Sequence, residues 1–176
     1  MNISDNLITE DYKTDVLITD ISAADEKACA EIYNYYINNT VVTLEETPLS
    51  PAEFSARVKR IKADYPYIVA KRGDEVLGYA YLDKFNPRSA YRITADLSIY
   101  VDKDHRGEHI GSMLYAEIEK RAREMKTENI VSLVTGENES SIAFHLSRGF
   151  LISGKLEKAA FKFGGYRDLV YLIKHL

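Results

Sequence analysis

The residues with the most chemical content form one run: Leu97-Ser98-Ile99-Tyr100-Val101-Asp102-Lys103-Asp104-His105-Arg106-Gly107-Glu108-His109-Ile110-Gly111-Ser112-Met113-Leu114. It reads as a strand, then a loop bearing Arg106 and Gly107, then an amphipathic helix near Gly111. A helix starts with unpaired N–H groups and the positive end of its dipole, so this arrangement suits a phosphate. Glycines let the backbone come close to a ligand. Taken alone, the same pattern also describes an ordinary helix start. On the strand, alternation places Asp96, Ser98 and Tyr100 on one face, and Leu97, Ile99 and Val101 on the other. A second polar cluster opens at Asn138, which can both donate and accept hydrogen bonds, or simply cap a helix. His145 lies seven residues on. A lone helical histidine reads as a structural residue or as a site residue.

These groups need elements to hold them. Val16-Leu17-Ile18-Thr19-Asp20-Ile21 predicts a first strand, and Ser22 a helix cap with Asp25 in the first turn. Ala28, Ile32, Tyr35 and Tyr36 continue at helical spacing to Asn38-Asn39. Ser50-Pro51-Ala52-Glu53 starts a second helix, with Phe54, Val58 and Ile61 on its apolar face. A hairpin follows, 67–71 and 76–83, about Arg72-Gly73-Asp74-Glu75. After the loop Asn86-Pro87-Arg88 comes a longer strand, 93–101. The next helix buries Ile110, Met113, Leu114, Ile118 and Ala122. A β-branched strand at 130–134, a short helix at 138–147 and two last strands, 150–152 and 169–173, complete the chain. Hairpins first and helical crossovers later make a mixed α/β protein.

A chain of 176 residues suits one domain, expected at 15–176 behind a polar extension at 1–14. The net charge of −4 argues against nucleic acid or an anionic membrane as partner. The single cysteine, Cys29, excludes an internal disulfide and a cysteine-cluster metal site, and its helical setting makes it a core residue. No metal is expected. No apolar run reaches the roughly 18 residues of a membrane span. Asp5, Glu10 and Asp11 stand where a signal peptide would be basic and then apolar, so the cytoplasm is the default location. Thirteen tyrosines without a tryptophan point to aromatic core, pocket rim or interface.

The 97–114 run resembles the acetyl-CoA signature of GNAT acetyltransferases, Gln/Arg-x-x-Gly-x-Gly/Ala, with Arg106 and Gly111 in the outer positions. His109 stands where that family has its first glycine; histidine tolerates a positive φ better than most residues. Residues 136–150 are similar to the family's Asn-x-x-Ser-Ile segment ending in Gly-Phe, through Asn138, Ser141, Ile142, Gly149 and Phe150. The phosphinothricin-acetyltransferase-like members are resembled more widely. Arg88-Ser89-Ala90-Tyr91 to Val101, Phe161-Lys162-Phe163-Gly164-Gly165-Tyr166-Arg167-Asp168, Ile32-Tyr33-Asn34-Tyr35-Tyr36-Ile37 and Val42-Thr43-Leu44 all match in order. The likeness spans about residues 16–174.

The resemblance implies an α/β GNAT fold: a mixed, mostly antiparallel sheet, splayed in the middle and flanked by helices. It implies acetyl-CoA held by Ile99, Tyr100, Val101, Arg106, Gly107, Glu108, His109, Ile110, Gly111 and Ser112, with Asn138 and Ser141 beside it. Asp96 takes the position of the family's glutamate base, one methylene shorter, and His145 that of its helical histidine. Arg88, Tyr91, Ser98 and Leu44 would border a small amine acceptor of the phosphinothricin, methionine sulfoximine or methionine sulfone type. The amine would attack the thioester directly, and a homodimer is expected. Two alternatives stay open: acetylation of protein amines, and a non-catalytic acyl-CoA sensor.

Overall fold

Runs rich in β-branched and aromatic residues build the central strands, and stripes of apolar residues at helical spacing build the helices that cover them. The structure is a computed structural model that describes residues 15–176; the polar extension at 1–14 lies outside the described residues. In chain order the elements are β1 (Val16–Asp20), α1 (Glu26–Asn39), α2 (Pro51–Lys62), β2 (Tyr67–Arg72), β3 (Glu75–Lys84), β4 (Thr94–Val101), α3 (Ile110–Glu124), β5 (Asn129–Thr135), α4 (Glu139–Leu146), β6 (Leu151–Lys162) and β7 (Gly165–His175). The strands form one sheet in the order β1-β2-β3-β4-β5-β7-β6. Every neighbouring pair is antiparallel except β4 and β5, which are parallel.

Each face of the sheet has its own core. Under α1 and α2 lie Cys29, Ile32, Ile37, Phe54, Val58 and Ile61, against Tyr67, Val69 and Tyr79 of the sheet. Under α3 lie Ile110, Leu114, Tyr115, Ile118 and Ala122, against Ile68, Leu77, Ala80, Leu82 and Leu97. The start of α2 is the expected capping box. Ser50 accepts from the Glu53 N–H, Glu53 accepts from the Ser50 N–H, and Pro51 takes the first position.

Four local expectations change. Ser22 does not cap α1: it donates its N–H and hydroxyl to the Asp25 carboxylate, at 2.9 and 2.6 Å, and the helix begins at Glu26. Lys71 holds the other Asp25 oxygen at 2.7 Å, so this carboxylate serves as an anchor between α1 and β2. Met113 is half-buried, and Tyr115 takes its expected place in the stripe of α3. A turn of 3-10 helix, Ser89–Ile93, leads into β4. The last two strands run to 12 and 11 residues, far longer than expected. β6 lies at the sheet edge and is exposed over most of its length, so no buried face imprints an alternation on its sequence.

Candidate active site

The parallel pairing of β4 with β5 covers only Thr94↔Asn129, Ala95↔Ile130 and Asp96↔Val131. Past Asp96 the two strands part. Only the Ser132 hydroxyl reaches back, 3.4 Å from the Leu97 carbonyl. β4 stays paired with β3 as far as Val101, so its other edge, Leu97–Val101, has no strand partner among the described residues. A cleft of about 580 Å³ opens there. Its walls are this edge of β4, the loop 105–107, the first turn of α3, Ser132–Val134 of β5, and one side of α4.

The loop and helix start are built for an anion. Gly107 has φ +84°. His109 adopts the left-handed conformation, φ 62° and ψ 10°, and precedes α3 without giving it a side-chain cap. The first N–H groups of the helix therefore remain for a ligand. The backbone turn that glycine would favour is thus made by a histidine. Valine, β-branched, tolerates it worst. His109→Val is expected to cost about 1–2 kcal/mol in a urea melt, while His109→Gly stays within about 1 kcal/mol of the parent. Arg106 places its guanidinium 5.3 Å over the Tyr36 ring at the same end of the cleft. Glu108 does not line the cleft. Its carboxylate bonds Arg72 at 2.7 Å and His105 at 2.9 Å, and His105 also meets Glu75 at 3.3 Å. These contacts tie the loop to the β2–β3 hairpin and, through charge attraction and hydrogen bonding to Glu108, raise the His105 pKa.

On α4, Asn138 is a true cap, accepting from the Ser141 N–H at 3.3 Å, and both residues line the cleft. His145 also lines it but is buried, 4% exposed. Its Nδ1 lies 2.7 Å from the Ser141 carbonyl, so Nδ1 carries the proton and Nε2 is an acceptor. That Nε2 has no partner among the described residues. Burial pushes the His145 pKa down, which keeps the ring neutral. Arg148 fixes α4 to α3: it donates to the Ser112 hydroxyl at 2.5 Å and lies 3.4 Å over the Phe144 ring. Phe144, Tyr36, Thr40, Val42 and Ser132 also line the cleft and are not among the expected site residues, although Tyr36 and Val42 lie in segments that match the family. Tyr36 read as an ordinary apolar helix position; the others carry no pattern that tells a wall from a core.

The face of the sheet under α1 and α2 carries the acceptor-side candidates. Ser98 lines the cleft and pairs across strands with Tyr81. Tyr100 lines it too, packed on Tyr33, Tyr36 and Tyr79 at 5.0, 5.6 and 5.4 Å. The Tyr36 hydroxyl donates to the Val101 carbonyl at 2.5 Å, so that carbonyl already has one partner. Asp96 sits one step down the face, where β4 and β5 part, and is not itself in the wall. It is half-buried, and burial, with Asp83 directly across on β3, lifts its pKa to about 7. Asp83 has Arg60 as a bidentate partner at 3.0 and 2.7 Å; no cation pairs with Asp96 among the described residues. Arg88, Tyr91 and Leu44 do not line the cleft. Arg88 and Tyr91 are exposed around the 3-10 turn, with Tyr91 edge-on to Phe85. Leu44 is half-buried in the loop between α1 and α2.

This geometry fits acetyl-CoA. An uncapped helix start suits its pyrophosphate, and an unpartnered strand edge suits its amide-bearing arm. The comparisons agree. The model of the acetyltransferase (GNAT) domain matches residues 18–171. L-methionine sulfoximine/L-methionine sulfone acetyltransferase of Pseudomonas aeruginosa is 34% identical over 157 residues, 88% of this chain and 91% of that protein. A GNAT superfamily phosphinothricin acetyltransferase from Sinorhizobium meliloti, solved in complex with acetyl-CoA, superposes with a TM-score of 0.89 at 35% identity, covering 93% of this chain and 89% of that one. Ribosomal-protein-alanine N-acetyltransferase from Brucella melitensis superposes with a TM-score of 0.89 at 35% identity, covering 91% and 99%. A match over nearly the whole chain, on a sheet parted where the donor would lie, makes this protein a member of the GNAT acetyltransferase family, an acyltransferase with acetyl-CoA as its acetyl donor.

Proposed function

We propose that the chain acetylates the amino group of a small amino-acid-like acceptor, of the phosphinothricin, methionine sulfoximine or methionine sulfone type. The carrying observation is Asp96: a half-buried carboxylate with no cation partner among the described residues, its pKa lifted to about 7, beside cleft-lining Ser98. An acceptor amine arrives as an ammonium and must lose a proton before it attacks. A base with pKa near 7 is ionised often enough to act, yet basic enough to take that proton. Aspartate's short reach suggests one intervening water.

Acetyl-CoA supplies the acetyl group as an activated thioester. The N–H groups on the unpartnered edge of β4 past Asp96 are the donors available to polarise its carbonyl. Arg106, Gly107 and the first turn of α3, 109–112, would hold the phosphates. Ile99 to Val101, Asn138 and Ser141 would hold the arm. His145, neutral with a free Nε2, accepts a proton or a hydrogen bond on the α4 side of the cleft.

The likeness to the Brucella melitensis protein supports a second acceptor class, the N-terminus of a peptide. Coenzyme A release, followed with a thiol reagent, separates the classes. The panel is phosphinothricin, methionine sulfoximine, methionine sulfone, a polyamine and an alanine-initial peptide. Turnover on the first three is the expected result. Turnover on the peptide alone would replace this reading. Acetyl-CoA binding without turnover on any acceptor would favour the sensor.

A homodimer belongs to the same proposal. It is supported by Leu151, Ile152, Leu156, Phe161, Phe163 and Tyr166, all on the β6–β7 hairpin and all more than half exposed. A cytoplasmic setting suits the free, buried thiol of Cys29. Among the described residues no helix is long and apolar enough to cross a membrane.

A further inference from the structure

Behind the cleft wall, on the side of α1 and α2, stands a half-buried cation that no sequence motif marks. Arg57 projects from α2, and its guanidinium meets Glu45 at 2.8 Å, with about a quarter of the side chain exposed. It lies 5.4 Å over the Tyr33 ring. The Tyr33 hydroxyl donates to the same Glu45 oxygen at 3.0 Å and meets the Thr43 hydroxyl at 2.9 Å. Tyr33 packs edge-on against cleft-lining Tyr100, and Val42, next to Thr43, lines the cleft as well. On the same face Tyr81 stands across from cleft-lining Ser98, and Asp83, one step on, across from Asp96. Arg57 is thus one aromatic ring behind the cleft wall: its guanidinium lies over Tyr33, and Tyr33 packs on cleft-lining Tyr100. The remaining charges around Glu45 are Glu46 and Lys162, whose ammonium is buried and donates to the Thr43 carbonyl at 2.8 Å.

We propose that Arg57 recognises the carboxylate of the acceptor, and that Glu45 occupies the guanidinium until the acceptor exchanges for it. This rests on the small amino-acid acceptor proposed above. A guanidinium fork matches a carboxylate with two parallel hydrogen bonds, and Glu45 is the group of that chemistry already on it. Glu45 belongs to the loop between α1 and α2 and is about one-third exposed, so it can leave without unpacking a core. Releasing Glu45 costs part of the binding energy of every acceptor. In the empty enzyme Glu45 keeps the half-buried guanidinium paired, since an unpaired one would be destabilising. Arg88, the candidate from sequence, is likewise outside the cleft wall, is exposed on its loop, and lacks the aromatic link to the wall that Arg57 has through Tyr33.

The test compares KM for methionine sulfone with KM for its primary amide, which keeps the amine and lacks the charge. Arg57→Gln is expected to raise KM for the acid about tenfold or more and to leave the amide nearly unchanged, collapsing the preference between them. Glu45→Gln is expected to lower KM for the acid, because the internal competitor is gone. Thermal melts and acetyl-CoA affinity are measured on each variant. A purely structural ion pair would move acid and amide together and lower the melting temperature in both variants; that result overturns the proposal. So does a preference that collapses in Arg88→Gln and persists in Arg57→Gln. Absence of turnover on either acceptor in the parent enzyme defeats the acceptor class itself, and this assignment with it.

Discussion

Asp96→Asn is expected to lower kcat by about a hundredfold to ten-thousandfold, the usual contribution of a positioned general base. Its shape and hydrogen-bonding span stay close to the parent, so acetyl-CoA affinity should hold. The pH profile is the sharper measurement. In the parent enzyme kcat/KM should rise over roughly pH 6 to 8, because Asp96 acts when ionised and its pKa is about 7. In the variant this rise disappears. Stability moves the other way. The folded-state pKa lies above the ordinary 3.8, so the folded chain binds the proton more tightly than the unfolded chain does. The carboxylate therefore costs stability progressively as pH climbs between roughly 4 and 7, and the full cost is present above that. Asp96→Asn should thus melt higher than the parent at pH 8 and show no such gain at pH 4. Lost activity with a raised melting point is the signature of a buried group kept for chemistry. Unchanged kcat in Asp96→Asn would remove it from the base role.

Gly111→Ala is expected to separate the fold from the ligand. A Cβ at Gly111 meets Phe144 Cε2 at 3.4 Å and Val101 Cγ2 at 3.7 Å, ordinary contact distances with no backbone clash. The residue is in the first turn of α3 with no positive φ, so the fold does not require glycine there. Alanine should raise helix stability by up to about 1 kcal/mol. Phe144, Val101 and Gly111 are all cleft walls, however, so the added methyl narrows the space between α3, β4 and α4. KM for acetyl-CoA should rise about tenfold, with kcat for bound substrate much less affected, since this interaction holds the donor in ground and transition state alike. A melting point that rises while donor affinity falls assigns Gly111 to the ligand. An unchanged KM would assign it to the fold.

The order of elements was readable because strands and helices leave different periods. The Ser50-Pro51-Ala52-Glu53 start of α2 and the Gly73 turn of the β2–β3 hairpin appear as their residues indicate. The residues expected to hold the donor share one cleft because a strand, an Arg/Gly loop and a helix start are contiguous in the chain. Of the residues assigned to the donor, only Glu108 turns away, drawn by Arg72 and His105. The acceptor side was less legible. Its candidates are spread over α1, α2, the loop between them, β3 and β4, and no local spacing brings Arg57 over Tyr33. Arg57 in sequence is one more cation on a charged helix face. Arg88 drew attention through its neighbours in the motif, and the structure leaves it exposed. Lys162 sat in a recognised segment, yet its burial against Thr43, over a separation of 119 residues, had no trace in the string.

The parting of β4 from β5 gives this chain an internal sheet edge. Exposed edges usually invite another strand, from the same protein or a neighbour. Here the gap is walled by α3 and α4, and what suits it is an extended, amide-bearing ligand that lies along it as an added strand would. Donor and spent carrier share that arm, so either would fill the gap in the same way. Only the empty protein is left with the gap. A ligand that binds the folded chain alone protects it from local opening and from proteolysis in proportion to its concentration. Acetyl-CoA or coenzyme A is therefore expected to slow proteolysis of the purified protein in proportion to its concentration, with or without an acceptor.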